Sequence, residues 1–206
     1  MSPRLTVPAL ALAACATLAS SPSRAQNDPR YFTQIRAELQ AMGIDAQCAA
    51  AGTQAGSCRA TTAGISGTAN APSSRRFVLG LDYSDVTDTI YVYVDHYATL
   101  AGDHANAPAL FRRMAEINWE TLAGRFEWSA ASGEVRLSSV MHTDSNFDRR
   151  AFRGVVRSLL RVADRYADDI ARNTGGAVGV TAAQAPAPAV APAGGETLAP
   201  MPPPAR

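Results

Sequence analysis

The chain has 206 residues, 47% of them hydrophobic, with 19 basic side chains against 18 acidic; every basic one is arginine. This balance carries no nucleic-acid footprint, and the length supports one domain with a real core. Removing Arg4 and Arg24 with an N-terminal leader leaves 17 basic against 18 acidic side chains, a net charge of −1.

The leader is residues 1–25. Arg4 gives a positive start, Leu5 to Ala19 is apolar, and Ser23 and Ala25 form the small-x-small pattern that a signal peptidase cuts. The apolar run is shorter than the roughly 20 residues of a membrane span. The mature chain is therefore expected to start at Gln26, without a transmembrane helix. A rival reading takes "LAAC", Leu12 to Cys15, as a lipobox whose cysteine becomes a lipidated first residue.

"DPRYFTQIRAELQAMG" predicts a first helix, with Asp28 as N-cap, Pro29 at the first helical position, Phe32, Ile35, Leu39 and Met42 on one face, and Gly43 as the stop. Ile44 to Gly52 reads as a weak strand, to which "CRATTAG" can pair back. Cys48 and Cys58, an even pair once Cys15 is removed, read as a structural disulfide in an oxidising compartment. A loop this short gives about 2–3 kcal/mol in the chain-entropy model. A redox or metal role is the competing reading, but the spacing is not CxxC and no histidine is near.

Gly64 to Ser74 is Gly, Ser, Ala and Asn without pattern, and is expected as an exposed insertion. "RRFVLGLDY" and "DTIYVYVDHYA" alternate around "SDVTD" and predict an antiparallel hairpin. A second helix starts near Ala107, with Leu110, Phe111, Met114 and Ile117 inward. Trp119 falls off that face, so either the helix ends near Asn118 or the indole covers a second surface. "RFEWSAA" and "EVRLSSVM" flank a turn and predict a second hairpin.

The last helix is expected from Asp148 to about Arg172, with Asp148 or Ser145 as its cap and Phe152, Val155, Val156, Leu159, Ala163, Tyr166 and Ile170 recurring at three and four. From Gly175 the chain turns to Ala, Pro and Gly, a composition that cannot bury enough surface to order itself. Domain limits follow as 1–25 leader, 26–174 domain, 175–206 disordered tail. The element order is αβββαββα, an α+β two-layer sandwich of antiparallel sheet and helices.

"LFRRMAEINWETLAGRFEW", "SGEVRLSSVM" and "DRRAFRGVVRSLLRVADRYADDI", in that order of elements, resemble the YbjN family, whose fold is that of class I type III secretion chaperones. The resemblance implies a sheet with helices packed on it, often a dimer, and no catalytic residues to carry over. The chain departs from the family in its export signal, its disulfide and the Gly64 to Ser74 insertion, which argues against a cytoplasmic secretion role.

Three histidines, His96, His104 and His142, lie beside Asp95, Asp103 and Asp144, the raw material of a general base or a zinc site. Neighbours on a regular strand point to opposite faces, so Asp95 is not expected to orient His96, and all three imidazoles read as solvated. No cofactor is implied. On the last helix Arg149, Arg153, Arg157, Arg161 and Arg165 recur every fourth residue, each step turning about 40°. Asp164, Asp168 and Asp169 are expected to pair with the far end of this stripe. With Arg150 it is either a solvated face or a docking surface for an acidic protein segment. Trp119, Tyr91 and Tyr93 are the aromatics expected to need cover from a second subunit or a partner. The resulting expectation is a non-enzymatic protein-binding or chaperone-like module of the bacterial cell envelope, periplasmic or secreted. The alternatives are a structural lipoprotein anchored through Cys15, or a hydrolase using His96 or His142.

Overall fold

The computed structural model describes residues 28–66 and 71–180. The leader, the Cys15 lipobox and residues 181–206 lie outside them. The described elements run α1 (Phe32–Ala41), β1 (Gln47–Ala51), β2 (Ala55–Ser66), β3 (Ala71–Ser84), β4 (Thr89–Thr99), α2 (Ala107–Glu120), β5 (Arg125–Trp128), β6 (Glu134–His142), α3 (Arg149–Arg165) and α4 (Ala167–Thr174). The strands form one antiparallel sheet in the order β1-β2-β3-β4-β6-β5. On one face α3 crosses β2, β4 and β6, α4 meets β4, and α2 meets β5. This is the expected α+β two-layer sandwich. It has one strand more than the predicted order, because the two cysteine segments are separate strands, and its last helix breaks at Tyr166.

Local sequence explains most boundaries. Gly43 ends α1 at φ 74°, a left-handed value that glycine adopts without steric cost, and the Ile44 N–H closes onto the Leu39 carbonyl. Asp28 does not cap α1, which begins one turn later at Phe32; its carboxylate instead accepts from Thr33 Oγ1 and Arg36. Asp148 does cap α3, accepting from the Ala151 N–H at 2.9 Å. Asn118, in the last turn of α2, donates to the Phe126 carbonyl at 3.0 Å and accepts from the Phe126 N–H at 2.7 Å. It thereby pairs the outer edge of β5 as a strand would.

The core lies between sheet and helices. Phe77, Leu79, Leu81 and Tyr83 of β3, Ile90, Val92 and Val94 of β4, and Val135 and Leu137 of β6 meet Leu110, Ile117, Phe152, Val156, Leu159 and Ile170, all of them buried. The opposite residues of each strand form a face that no helix covers among the described residues. The disulfide between Cys48 and Cys58 joins two residues directly opposite on β1 and β2, staples the edge strand β1, and buries Cys58.

Two boundaries differ from the sequence-based expectation. The stretch Gly64 to Ser74 is mostly strand rather than insertion: β2 continues to Ser66 and β3 starts at Ala71, with Ile65 opposite Pro72 and Ser66 opposite Ala71. Within this stretch, residues 67–70 lie outside the described chain. Pairing with a neighbouring strand overrides weak local propensity here.

The domain also runs past Gly175. Val178 packs on the core, and the Val180 N–H donates to the Arg76 carbonyl at 2.9 Å, forming an antiparallel bridge. Gly179 at φ 87° lets the chain pass so close that a Cβ there would meet the Arg76 oxygen at 2.7 Å. Truncation after Gly175 is therefore expected to cost about 1–2 kcal/mol relative to truncation after Val180, the worth of one hydrogen bond and part of a valine. Thermal denaturation of the two truncated chains checks this, and equal midpoints refute it.

Candidate functional site

The helix-free face carries the densest polar constellation among the described residues. The strand register sets one row across it: Arg59, Gly80, Tyr93, Ser138 and Arg125 lie opposite one another on β2, β3, β4, β6 and β5. Gly80 is the reason the row closes. A Cβ there would meet the Tyr93 ring at 2.3 Å, so the phenol lies flat over the glycine, and the Arg136 guanidinium covers its other side, 4.7 Å from the ring centre. Tyr93 is buried without a helix above it. Burial, with Asp82 close by, pushes its hydroxyl up to about 12. The Tyr91 ring stands 5.1 Å away and its hydroxyl donates to Glu127 at 2.7 Å. Burial also pushes the Tyr91 hydroxyl and the Asp82 carboxyl above their ordinary values.

Just beyond Tyr93 along the strand, β4 bulges. Val94 pairs with Leu137 and Ala98 with Val135, so Asp95, His96 and Tyr97 together occupy the space of one residue on β6. His96 takes φ 48°, a left-handed value, and its imidazole turns back: Nδ1 lies 3.2 Å from Asp95 Oδ2. This corrects the expectation that strand neighbours cannot meet, since the bulge breaks the alternation on which that argument rests. The Asp95 carboxylate is wholly buried. It contacts Arg59 at 2.6 Å through Oδ2, a charge contact without hydrogen-bond direction, and Arg136 at 3.1 Å through Oδ1. Burial alone would raise its pKa, but Arg59, His96 and Arg136 together hold it below the ordinary value.

Asp95, His96 and Glu134 bring three donor atoms within 4.8 Å of one another, a span a metal ion could bridge. The chemistry of the set argues against that use. Arg59 sits on Asp95 Oδ2 and Arg136 on Glu134 Oε1 at 3.3 Å, so both carboxylates are already neutralised and a dication would have to displace two guanidiniums. His96 has an orienting carboxylate, but among the described residues no hydroxyl or thiol hydrogen-bonds to it. His104 is exposed, its Nδ1 accepting from the Asn106 N–H. His142 is the exposed last residue of β6, opposite Thr89 at the far end of β4 from His96.

The arginine stripe is divided. Glu38, a buried acid on α1, takes Arg153 and lies 3.6 Å from Arg149. Arg150, Arg157 and Arg165 are exposed and have no acidic partner among the described residues. The acids expected to pair with the far end do not: Asp164 and Asp168 turn to Arg75, and Asp169 to Arg113 and Arg172. The break at Tyr166 puts Asp168 and Asp169 on α4, away from the α3 stripe.

Trp119 does not share a surface with the tyrosines. α2 continues past it to Glu120, leaving the indole 91% exposed, and Leu122 just beyond is fully exposed. No ring lies against Trp119 among the described residues, whereas Trp128 packs on Phe111 and donates to the Leu100 carbonyl. Among the described residues no helix is long and apolar enough to cross a membrane. Glu38 and the Gly80 notch are what sequence reasoning missed; both depend on contacts between elements distant in the chain. Neither a known protein-family model nor a curated protein matches this chain.

Proposed function

We propose that this chain is a non-enzymatic protein-binding, chaperone-like module of the bacterial cell envelope, exported by its leader into the periplasm or beyond. The observation that supports the reading best is the exposed pair Trp119 and Leu122. The other large aromatics of the described chain are at least partly buried, and a bare indole followed three residues later by a bare leucine is the composition of a contact surface rather than of a solvated one. The YbjN resemblance points the same way. A second copy of the chain is one candidate occupant of this surface.

Trp119→Ser with Leu122→Ser is expected to leave the melting midpoint unchanged, because neither side chain packs in the domain. The same change should reduce capture of partners from envelope extract to background. Undiminished capture would count against the reading.

The hydrolase alternative gains one observation, the contact between His96 and Asp95. Among the described residues no nucleophile lies beside that imidazole, so the network reads better as the lock on a bulge. Anchoring through Cys15 stands as the alternative for localisation. The mass of the exported chain separates a start at Gln26 from an acylated Cys15.

A further inference from the structure

We infer that the outer face of α3 is a docking surface for an acidic protein segment. This rests on the protein-binding reading above and names the partner's chemistry. Arg150, Arg157 and Arg165 are exposed and unpaired among the described residues. Successive steps of seven and eight residues rotate about −20° and 80° around the helix, so the three guanidiniums stay on one side over a length of about 22 Å. Nearby acids are committed elsewhere. Asp148 caps the helix, Glu38 holds Arg149 and Arg153, and Asp164 turns to Arg75.

Gly154 is a second, independent feature of this face. It sits inside α3 between Arg150 and Arg157, is exposed, and a Cβ built there meets nothing within 4 Å. Packing inside the domain gives no reason for a residue that weakens a helix relative to alanine. A bare backbone between two arginines lets a partner chain approach closely while their forks reach its carboxylates on either side.

The shape selects among anions. A single phosphate is held by converging donors, whereas these are strung out over the length of about seven extended residues. A membrane surface calls for large apolar side chains beside the cations. The exposed large hydrophobics of the described chain, Val86, Trp119, Leu122 and Val140, all lie off α3. An acidic segment fits both constraints. The Tyr166 hydroxyl donates to Glu120 at 3.4 Å, so the C-terminal end of α3 meets the last turn of α2.

The test uses the mature chain and a labelled peptide of alternating Glu and Ser, read by fluorescence anisotropy, with a Lys-Ser peptide as control. The Glu-Ser peptide should bind, and binding should weaken steeply with salt. Arg150→Gln, Arg157→Gln and Arg165→Gln together should lower affinity by about tenfold or more, three exposed charge contacts being removed. Gly154→Trp should block docking with the arginines intact, and an unchanged circular dichroism melt shows that each variant folds. Equal binding by these variants overturns the proposal. So does a chain that ignores the peptide but co-floats with phosphatidylglycerol vesicles or binds inorganic phosphate. If Trp119→Ser with Leu122→Ser abolishes envelope capture while the arginine variant leaves peptide binding and capture intact, protein binding stands and this surface does not.

Discussion

Asp95→Ala is expected to lower the unfolding free energy by about 3 kcal/mol at neutral pH, the low end of the cost of breaking a buried ion pair. The carboxylate is wholly buried and sits against Arg59, Arg136 and His96. The low end applies because Arg59 and Arg136 are partly exposed, 46% and 33%, and once orphaned can reach water. The pH dependence has a fixed sign. Folding lowers the pKa of this group, so its stabilisation is whole above the ordinary aspartate value of about 4 and is lost as pH falls through the folded value. The gap between the native chain and Asp95→Asn, measured by urea denaturation, should stay flat from about pH 7 to 5 and shrink below about pH 4. A gap that persists undiminished to about pH 2 would show that geometry, not charge, is what Asp95 supplies.

Phe32→Ala is expected to cost about 3–5 kcal/mol, because the ring is fully buried and anchors α1 to the sheet. The ring lies flat on Gly56, where a Cβ would stand 2.5 Å from it. A buried ring has nowhere to retreat, so Gly56→Ala alone should cost about 1–3 kcal/mol as overpacking. The double variant gives the sharper test. With the ring gone the new methyl fills part of the hole, so the two costs should fall short of their sum by more than about 0.5 kcal/mol. Strict additivity would mean that ring and glycine do not pack on each other.

Much of the fold is legible in the sequence because its signals are local. Alternation at Phe77 to Tyr83 and Ile90 to Val94, the apolar stripe from Phe152 to Ile170, and the glycine stop at Gly43 each depend on a few consecutive residues. What is not legible depends on neighbours supplied by other elements. The Asp95 bulge turns a rule about regular strands against itself. Glu38 looks like one more polar position on α1 until α3 crosses it with Arg149 and Arg153. The stretch from Gly64 to Ser74 has the composition of a loop, yet pairing carries both flanks into the sheet. Of the aromatics singled out, Tyr93 is covered from within by Gly80 and Arg136, and only Trp119 is left bare.

That difference between the two tryptophans gives the molecule two separable optical reporters. Trp128, packed on Phe111 and bonded to Leu100, senses whether the domain is intact. Trp119, already in water in the folded chain, changes little when the domain melts. Its emission should therefore shift toward the blue and resist acrylamide quenching only when something settles on it. A Trp128→Phe chain would respond to occupancy of that surface almost alone, so a docking event can be followed in solution without attaching a dye.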